Sequence, residues 1–173
     1  MSLLARPFLT VFTTLVLLVA PPVAAQEALP MPEGEPLLTV TGEISVTNQD
    51  EAAVFDRAML ESMETVTFTT STIWTEGPQT FTGVPLSELM EAVGATGSSM
   101  KATAINDYAV DIPREDWVQD GPILAYLNDG EEMPVRDKGP LWVVYPYDLN
   151  ASYQSEVIYS RSIWQLDRIV VVE

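Results

Sequence analysis

Alternation of apolar and polar residues begins at Leu38. Leu38, Val40, Ile44 and Val46 are separated by Thr39, Thr41, Glu43, Ser45 and Thr47, the period-two pattern of a half-buried strand. Gly42 inside that pattern predicts a bulge. Asn48 and Glu51 have the spacing of a capping box, which predicts a helix with Phe55, Met59 and Met63 on one face. From Glu64 to Trp74 a β-branched stretch predicts a second strand, with Val66, Phe68, Thr70, Thr72 and Trp74 sharing a face. A short strand over Gln79–Val84 follows the Glu76-Gly77-Pro78 turn. Pro85 then opens a helix in which Leu86, Leu89, Met90 and Val93 fall at helical spacing, and Gly94 is placed to end it.

Alternation resumes from Lys101 to Ile112, with Ala102, Ala104, Tyr108, Val110 and Ile112 on one face and a bend at Asn106-Asp107. A helical turn over Pro113–Asp116 comes next, then a strand over Ile123–Leu127 closed by the tight turn Asn128-Asp129-Gly130. Leu141–Tyr145 is unbroken apolar sequence, as expected for a central strand covered on both faces. Leu166–Val172 is the last strand. Strands outnumber helices and the connections are irregular, so the expectation is a single α+β domain around a mixed β-sheet.

The N-terminal region has a different pattern. Arg6, an apolar run from Phe8 to Ala20 and the small residues Val23-Ala24-Ala25 have the order of a secretory signal peptide. The run is too short for a spanning helix, which needs about 20 apolar residues. Residues 1–25 are therefore expected to be removed, which places the mature chain in the periplasm or outside the cell, without direct membrane insertion. Residues 26–36 carry Pro30, Pro32 and Pro36 and read as a flexible leader, and 37–173 as the domain.

Charge narrows the function. The chain has 25 acidic and 8 basic residues and a formal charge of −17, and losing Arg6 makes it −18. Nucleic acid is thereby excluded as a partner, since it demands clustered Lys and Arg. The chain has no His and no Cys, which removes a Ser-His-Asp triad, a cysteine nucleophile and a His or Cys zinc site. No catalytic residue and no metal ligand is assigned. Asp129, Glu131 and Glu132 surround Gly130 but lack EF-hand spacing, and read as a solvated hairpin turn. Two segments stand out against this acidity. Val135-Arg136-Asp137-Lys138-Gly139-Pro140 and Tyr159-Ser160-Arg161-Ser162-Ile163-Trp164 combine cations, aromatic rings and a constrained backbone, a combination suited to a planar heteroaromatic ligand. A bland reading stands beside it, in which Arg136 and Arg161 only neutralise neighbouring carboxylates.

Taken in order, Trp74-Thr75-Glu76-Gly77, Phe81-Thr82-Gly83-Val84-Pro85-Leu86, Leu89-Met90, Asn106-Asp107-Tyr108, Lys138-Gly139-Pro140-Leu141 and Tyr145-Pro146 resemble the sulfite-oxidase-type molybdopterin-binding domain. The resemblance runs from about Leu38 to Val172 and implies that fold. It also implies molybdopterin as cofactor and a cysteine ligand to molybdenum. Thr70 stands nearest that cysteine, and a threonine hydroxyl is a poor substitute for a thiolate on a soft-ligand metal. The few cations likewise suit a phosphate poorly.

The resemblance extends to short exported members that bind a pterin and relay its level to a membrane-bound signalling partner. It therefore implies a non-catalytic protein that binds a reduced, unconjugated pterin. Trp74, Tyr108 and Trp164 would stack on the ring, Asp107 or Asp137 would accept from its amino-pyrimidine edge, and Arg136, Lys138 and Arg161 would bond its carbonyl edge or a hydroxyl. The tryptophans have a plain core reading, and Asp107 a plain turn reading. Two alternatives stay open: a molybdopterin-dependent oxidoreductase with a non-cysteine metal ligand, and an interaction module that kept the fold alone.

Overall fold

The computed structural model describes residues 28–173. The expected signal peptide, and residues 26 and 27 of the leader, lie outside the described residues. The chain runs through β1 (Leu38–Gly42), β2 (Ala53–Phe55), α1 (Arg57–Ser62), β3 (Val66–Ser71), β4 (Pro78–Pro85), α2 (Leu86–Ala92), β5 (Ser99–Ala104) and β6 (Ala109–Pro113). It continues through a 3₁₀ turn at Arg114–Asp116, then β7 (Ile123–Asn128), β8 (Glu131–Glu132) and β9 (Trp142–Val144). A second 3₁₀ turn at Ala151–Tyr153 leads into α3 (Glu156–Arg161) and β10 (Leu166–Val172).

The strands form two sheets. The first has the order β2-β1-β10-β5-β6 and is mixed: β1 and β10 run parallel, and its other pairs are antiparallel. The second, β3-β4-β7-β8 with β9 also on β7, is antiparallel throughout. One hydrophobic cluster draws on both sheets and all three helices, from Leu38 and Ile169 to Phe81, Leu124, Leu60, Leu89 and Ile158. This is the α+β single domain with a mixed sheet that the periodicity predicts, with a second sheet packed into the same core.

Residues 28–36 carry no helix or strand, and three of their backbone groups are held by the domain. The Glu33 and Gly34 amides donate to Asp56 Oδ2 at 2.8 and 2.7 Å, and Asn48 Nδ2 donates to the Pro30 carbonyl. Asp56, not Asn48, caps α1, its Oδ1 accepting from the Met59 amide at 2.9 Å. The helix starts later than the capping-box spacing predicts because residues 49–52 close a turn first. The Asn48 carboxamide bonds both the N–H and the C=O of Val54 there, and steers the chain into β2.

Those amide donors, Met59 first and Gly34 next, hold the Asp56 carboxyl below its ordinary 3.8 against the opposing effect of burial. The folded state therefore binds that proton less readily than the unfolded chain. The stabilisation is present above about pH 3.8 and is lost as pH falls further through the lowered folded value. Replacing Asp56 by Asn is expected to flatten the acid limb of the stability curve, read by urea unfolding between about pH 5 and pH 2. An acid limb as steep in Asp56→Asn as in the parent would refute this.

Four further elements differ from the periodicity. Strand β1 stops at Gly42 instead of bulging there: its φ is +91°, and a Cβ would collide with the Val171 carbonyl. The bend at Asn106-Asp107 is a full hairpin turn between antiparallel β5 and β6, with Asp107 at φ +66°. Strand β9 is buried on both faces as expected, yet it lies at an edge of its sheet. The segment before β10 covers that edge, through Val143 N–H to Ile163 O at 2.9 Å and a bridge between Trp142 and Trp164. Helix α3 falls where no helix is expected, started by Ser155, which accepts from the Ile158 amide.

Candidate functional site

Three segments meet at one cavity of about 430 Å³, lined by Trp74, Ala104, Asn106, Tyr108, Tyr159, Ser160, Ser162, Ile163, Trp164 and Gln165. Each segment is shaped locally. In the loop between β3 and β4, Thr72 Oγ1 accepts from the Trp74 amide at 3.1 Å and pairs with Thr75 Oγ1 at 2.8 Å, a side-chain turn that sets Trp74. In the hairpin between β5 and β6, Asn106 Oδ1 accepts from the Tyr108 amide at 3.1 Å, and Asp107 takes the left-handed conformation that Asp tolerates. The third segment is α3 and its exit, bonded to the loop before β9 by Gln165 N–H to Lys138 O and Leu166 N–H to Leu141 O.

Aromatic rings dominate the walls. Trp74 meets Trp164, Tyr159, Trp142 and Tyr147 edge-on, with centroids 5.6, 5.8, 5.9 and 6.5 Å away. These are the separations of favourable edge-to-face contacts. Trp142 is fully buried behind them, its Nε1 donating to the Ser162 carbonyl at 3.1 Å. Ser162 is buried as well: its Oγ accepts from Tyr147 at 2.6 Å and donates to the Ile158 carbonyl at 2.8 Å. Burial pushes the Tyr147 phenol up to about 12, so it stays a proton donor to Ser162 at neutral pH.

The residues singled out from sequence fall into two groups. Trp74, Tyr108 and Trp164 line the cavity together. Asp107 lies beside it, exposed, and pairs with Arg168 at 2.8 Å. Arg136 is exposed, and Asp137 pairs with Lys138 at 2.9 Å, while the Lys138 ammonium sits 5.5 Å from the centre of the Trp142 ring. The loop carrying these three touches the cavity wall through Gln165, whose Nε2 donates to Val135 O at 2.6 Å. Arg161 does not line the cavity; it donates to Asp116 Oδ2 at 3.0 Å, which also accepts from Tyr145 at 2.7 Å. Burial first, and then that carboxylate, push the Tyr145 phenol well above its ordinary 10.

Sequence reasoning missed Tyr159 and Gln165 as wall residues, and took Asn106 only as part of a bend. Tyr159 stood within a segment already marked as aromatic and cationic. Nothing in the residue types signals Gln165, which lines the site with its backbone at φ +55°.

Residues 38–153 match the family model described as the oxidoreductase molybdopterin binding domain. Among solved structures, the chain is similar to the sulfane dehydrogenase SoxCD from Paracoccus pantotrophus, at a TM-score of 0.59 and 19% identity. The match covers 78% of this chain and 37% of that one, so the chain spans well under half the length of that relative. At that identity the likeness speaks for the fold. No curated protein sequence matches the chain.

The donor set tests the cofactor which that family description names. The cavity lining contains no charged side chain and no thiol. Thr70, nearest the place of the expected metal-binding cysteine, is fully buried and outside the lining, and its Oγ1 accepts from the Asp148 amide at 3.0 Å. Among the described residues no three His, Cys, Asp or Glu side chains cluster as a metal site. The walls fit a flat, uncharged heteroaromatic ring. They do not fit a thiolate-anchored metal, nor a phosphate dianion that needs cations close by.

Proposed function

This chain belongs to the oxidoreductase molybdopterin-binding domain family, and from that premise we propose that it holds the pterin ring itself, as a binding protein and not as a molybdenum redox enzyme. One observation carries the reading: four aromatic side chains, Trp74, Tyr108, Tyr159 and Trp164, line a cavity with only neutral polar groups in a chain of charge −17. Aromatic walls stack on a bicyclic heteroaromatic ring, and amide and hydroxyl groups bond its edge without the cost of burying charge. The proposed ligand is a reduced, unconjugated pterin. Molybdopterin contains the same ring but adds a dithiolene-bound metal and a phosphate, for which the lining has no partner.

The N-terminal charge, apolar run and small residues support export to the periplasm or beyond. In that compartment the protein would pass pterin occupancy to a membrane-bound signalling partner.

Calorimetric titration of residues 26–173 with a reduced pterin, without metal, is expected to show saturable one-to-one binding. Trp74→Ala is expected to weaken it about 5- to 150-fold, since stacking on one aromatic ring contributes about 1–3 kcal/mol. Protein recovered from its native compartment is expected to hold pterin without stoichiometric molybdenum. A flat titration on folded, ligand-free protein would refute the reading, and so would one molybdenum per chain.

A further inference from the structure

Two carboxamides line the cavity, and the protein has already committed one end of each. Gln165 Nε2 donates to Val135 O at 2.6 Å and faces Asp137 O at 3.4 Å. Both partners are carbonyl oxygens that only accept, so the NH₂ end must be the one turned toward them. Among the described residues Oε1 has no partner, which leaves it an acceptor with free lone pairs. Asn106 is committed the opposite way. Its Oδ1 accepts from the Tyr108 amide, a donor only, so among the described residues its Nδ2 is the end left free.

Both residues line the same cavity. The Ile105 amide, next to Asn106, donates to the Gln165 carbonyl at 2.9 Å, so both carboxamides flank one backbone contact. Each is also held firmly. Gln165 sits at φ +55° with its amide on Lys138 O, and Asn106 is locked into the hairpin turn. Side chains oriented in advance lose little freedom when a ligand arrives, which favours discrimination.

We infer that Gln165 and Asn106 form a reading head that selects a 2-amino-4-oxo-pyrimidine edge, Gln165 Oε1 accepting from the 2-amino group and Asn106 Nδ2 donating to the 4-oxo oxygen. The inference rests on the pterin reading above and adds the rule by which the site chooses. That edge belongs to pterins and also to guanine, so the shared chemistry is the amino-oxo edge, and the source is decided by the ring stacked on Trp74. A 2,4-dioxo ring places an acceptor against Gln165 Oε1, and a 2,4-diamino ring places a donor against Asn106 Nδ2. Each mismatch sets two like groups against one another in place of a hydrogen bond.

The test uses pterin, lumazine, 2,4-diaminopteridine and guanine as probes, titrated into the parent protein and into Asn106→Asp. Asp keeps Oδ1 for the Tyr108 amide and turns the free donor into an acceptor, so the hairpin is retained. The parent is expected to bind pterin about tenfold more tightly than lumazine or 2,4-diaminopteridine. Asn106→Asp is expected to reverse the pterin-to-diaminopteridine preference, a ratio that cancels most of the added charge. A parent that binds the three pteridines alike, or an unchanged ratio in Asn106→Asp, overturns the reading head and leaves the pterin site standing. Guanine binding more tightly than pterin upholds the edge rule and overturns pterin as the ligand. Failure of every probe to bind overturns both.

Discussion

Trp142→Ala is expected to lower the stability of the domain by about 3–5 kcal/mol, the usual range for deleting a buried Trp, as measured by urea unfolding. Trp142 has no exposed surface. Its ring meets Phe81 at 5.2 Å, Trp74 at 5.9 Å and Trp164 at 6.4 Å, all edge-on, and its Nε1 is satisfied by the Ser162 carbonyl. Alanine would leave a cavity among these rings and an unpaired carbonyl beneath the site. The substitution should also loosen Trp74 and Trp164, so binding is expected to fall although Trp142 does not line the cavity. Trp142→Phe refills most of the volume but not the hydrogen bond, and is expected to recover more than half of the loss. Equal losses for the two variants would show that packing is not the main contribution of this ring.

Gly83→Ala is expected to cost about 3 kcal/mol, the upper part of the usual range for overpacking. A Cβ at Gly83 would stand 2.1 Å from the Leu124 carbonyl oxygen and 2.6 Å from the Ala125 Cα. Both are backbone atoms of β7, where β4 changes register between Thr82 and Gly83, so neither can move without parting the sheet. Gly77→Ala is the contrast. Gly77 has φ +68° but nothing within 4 Å of an added Cβ, so its cost is limited to the left-handed backbone, about 1 kcal/mol. Thermal unfolding of the two variants separates steric exclusion from conformational strain. Equal shifts in Tm would remove the close approach as the reason for Gly83.

The glycine of the Thr82-Gly83-Val84-Pro85 motif was visible in the sequence, and so were the strand before it and the helix after it. Local periodicity governs such segments: Leu86, Leu89, Met90 and Val93 are all buried at the spacing that a helix requires. The capping of α1 was less legible. Asn48 and Asp56 are both good caps, and a turn over 49–52 decides between them. The same holds for β9, whose apolar run reads as a central strand. At its edge place it is covered by the Ile163-Trp164 segment, a contact between residues some twenty positions apart.

The candidate site shows the same division. Trp74, Tyr108 and Trp164 were legible because large aromatics beside turns and constrained loops are unusual in so acidic a chain, and the cavity brings all three together. Arg161 was legible as a cation beside aromatics. Its direction was not, because that is set by Asp116, 45 residues earlier and delivered by the 3₁₀ turn after β6.

Residue types and their order by themselves determined the α+β class, most of the strands, the helix after Pro85, the acidity and the absence of any thiol or imidazole chemistry. These depend on short-range patterning and on composition, which a linear chain displays in full. Tertiary structure alone decided that the strands divide into two sheets, that Arg161 serves Asp116, and that Gln165 turns its oxygen free. Each of those follows from hydrogen-bond partners distant in sequence, or from a backbone angle that packing imposes, and neither is written in the identity of the residue.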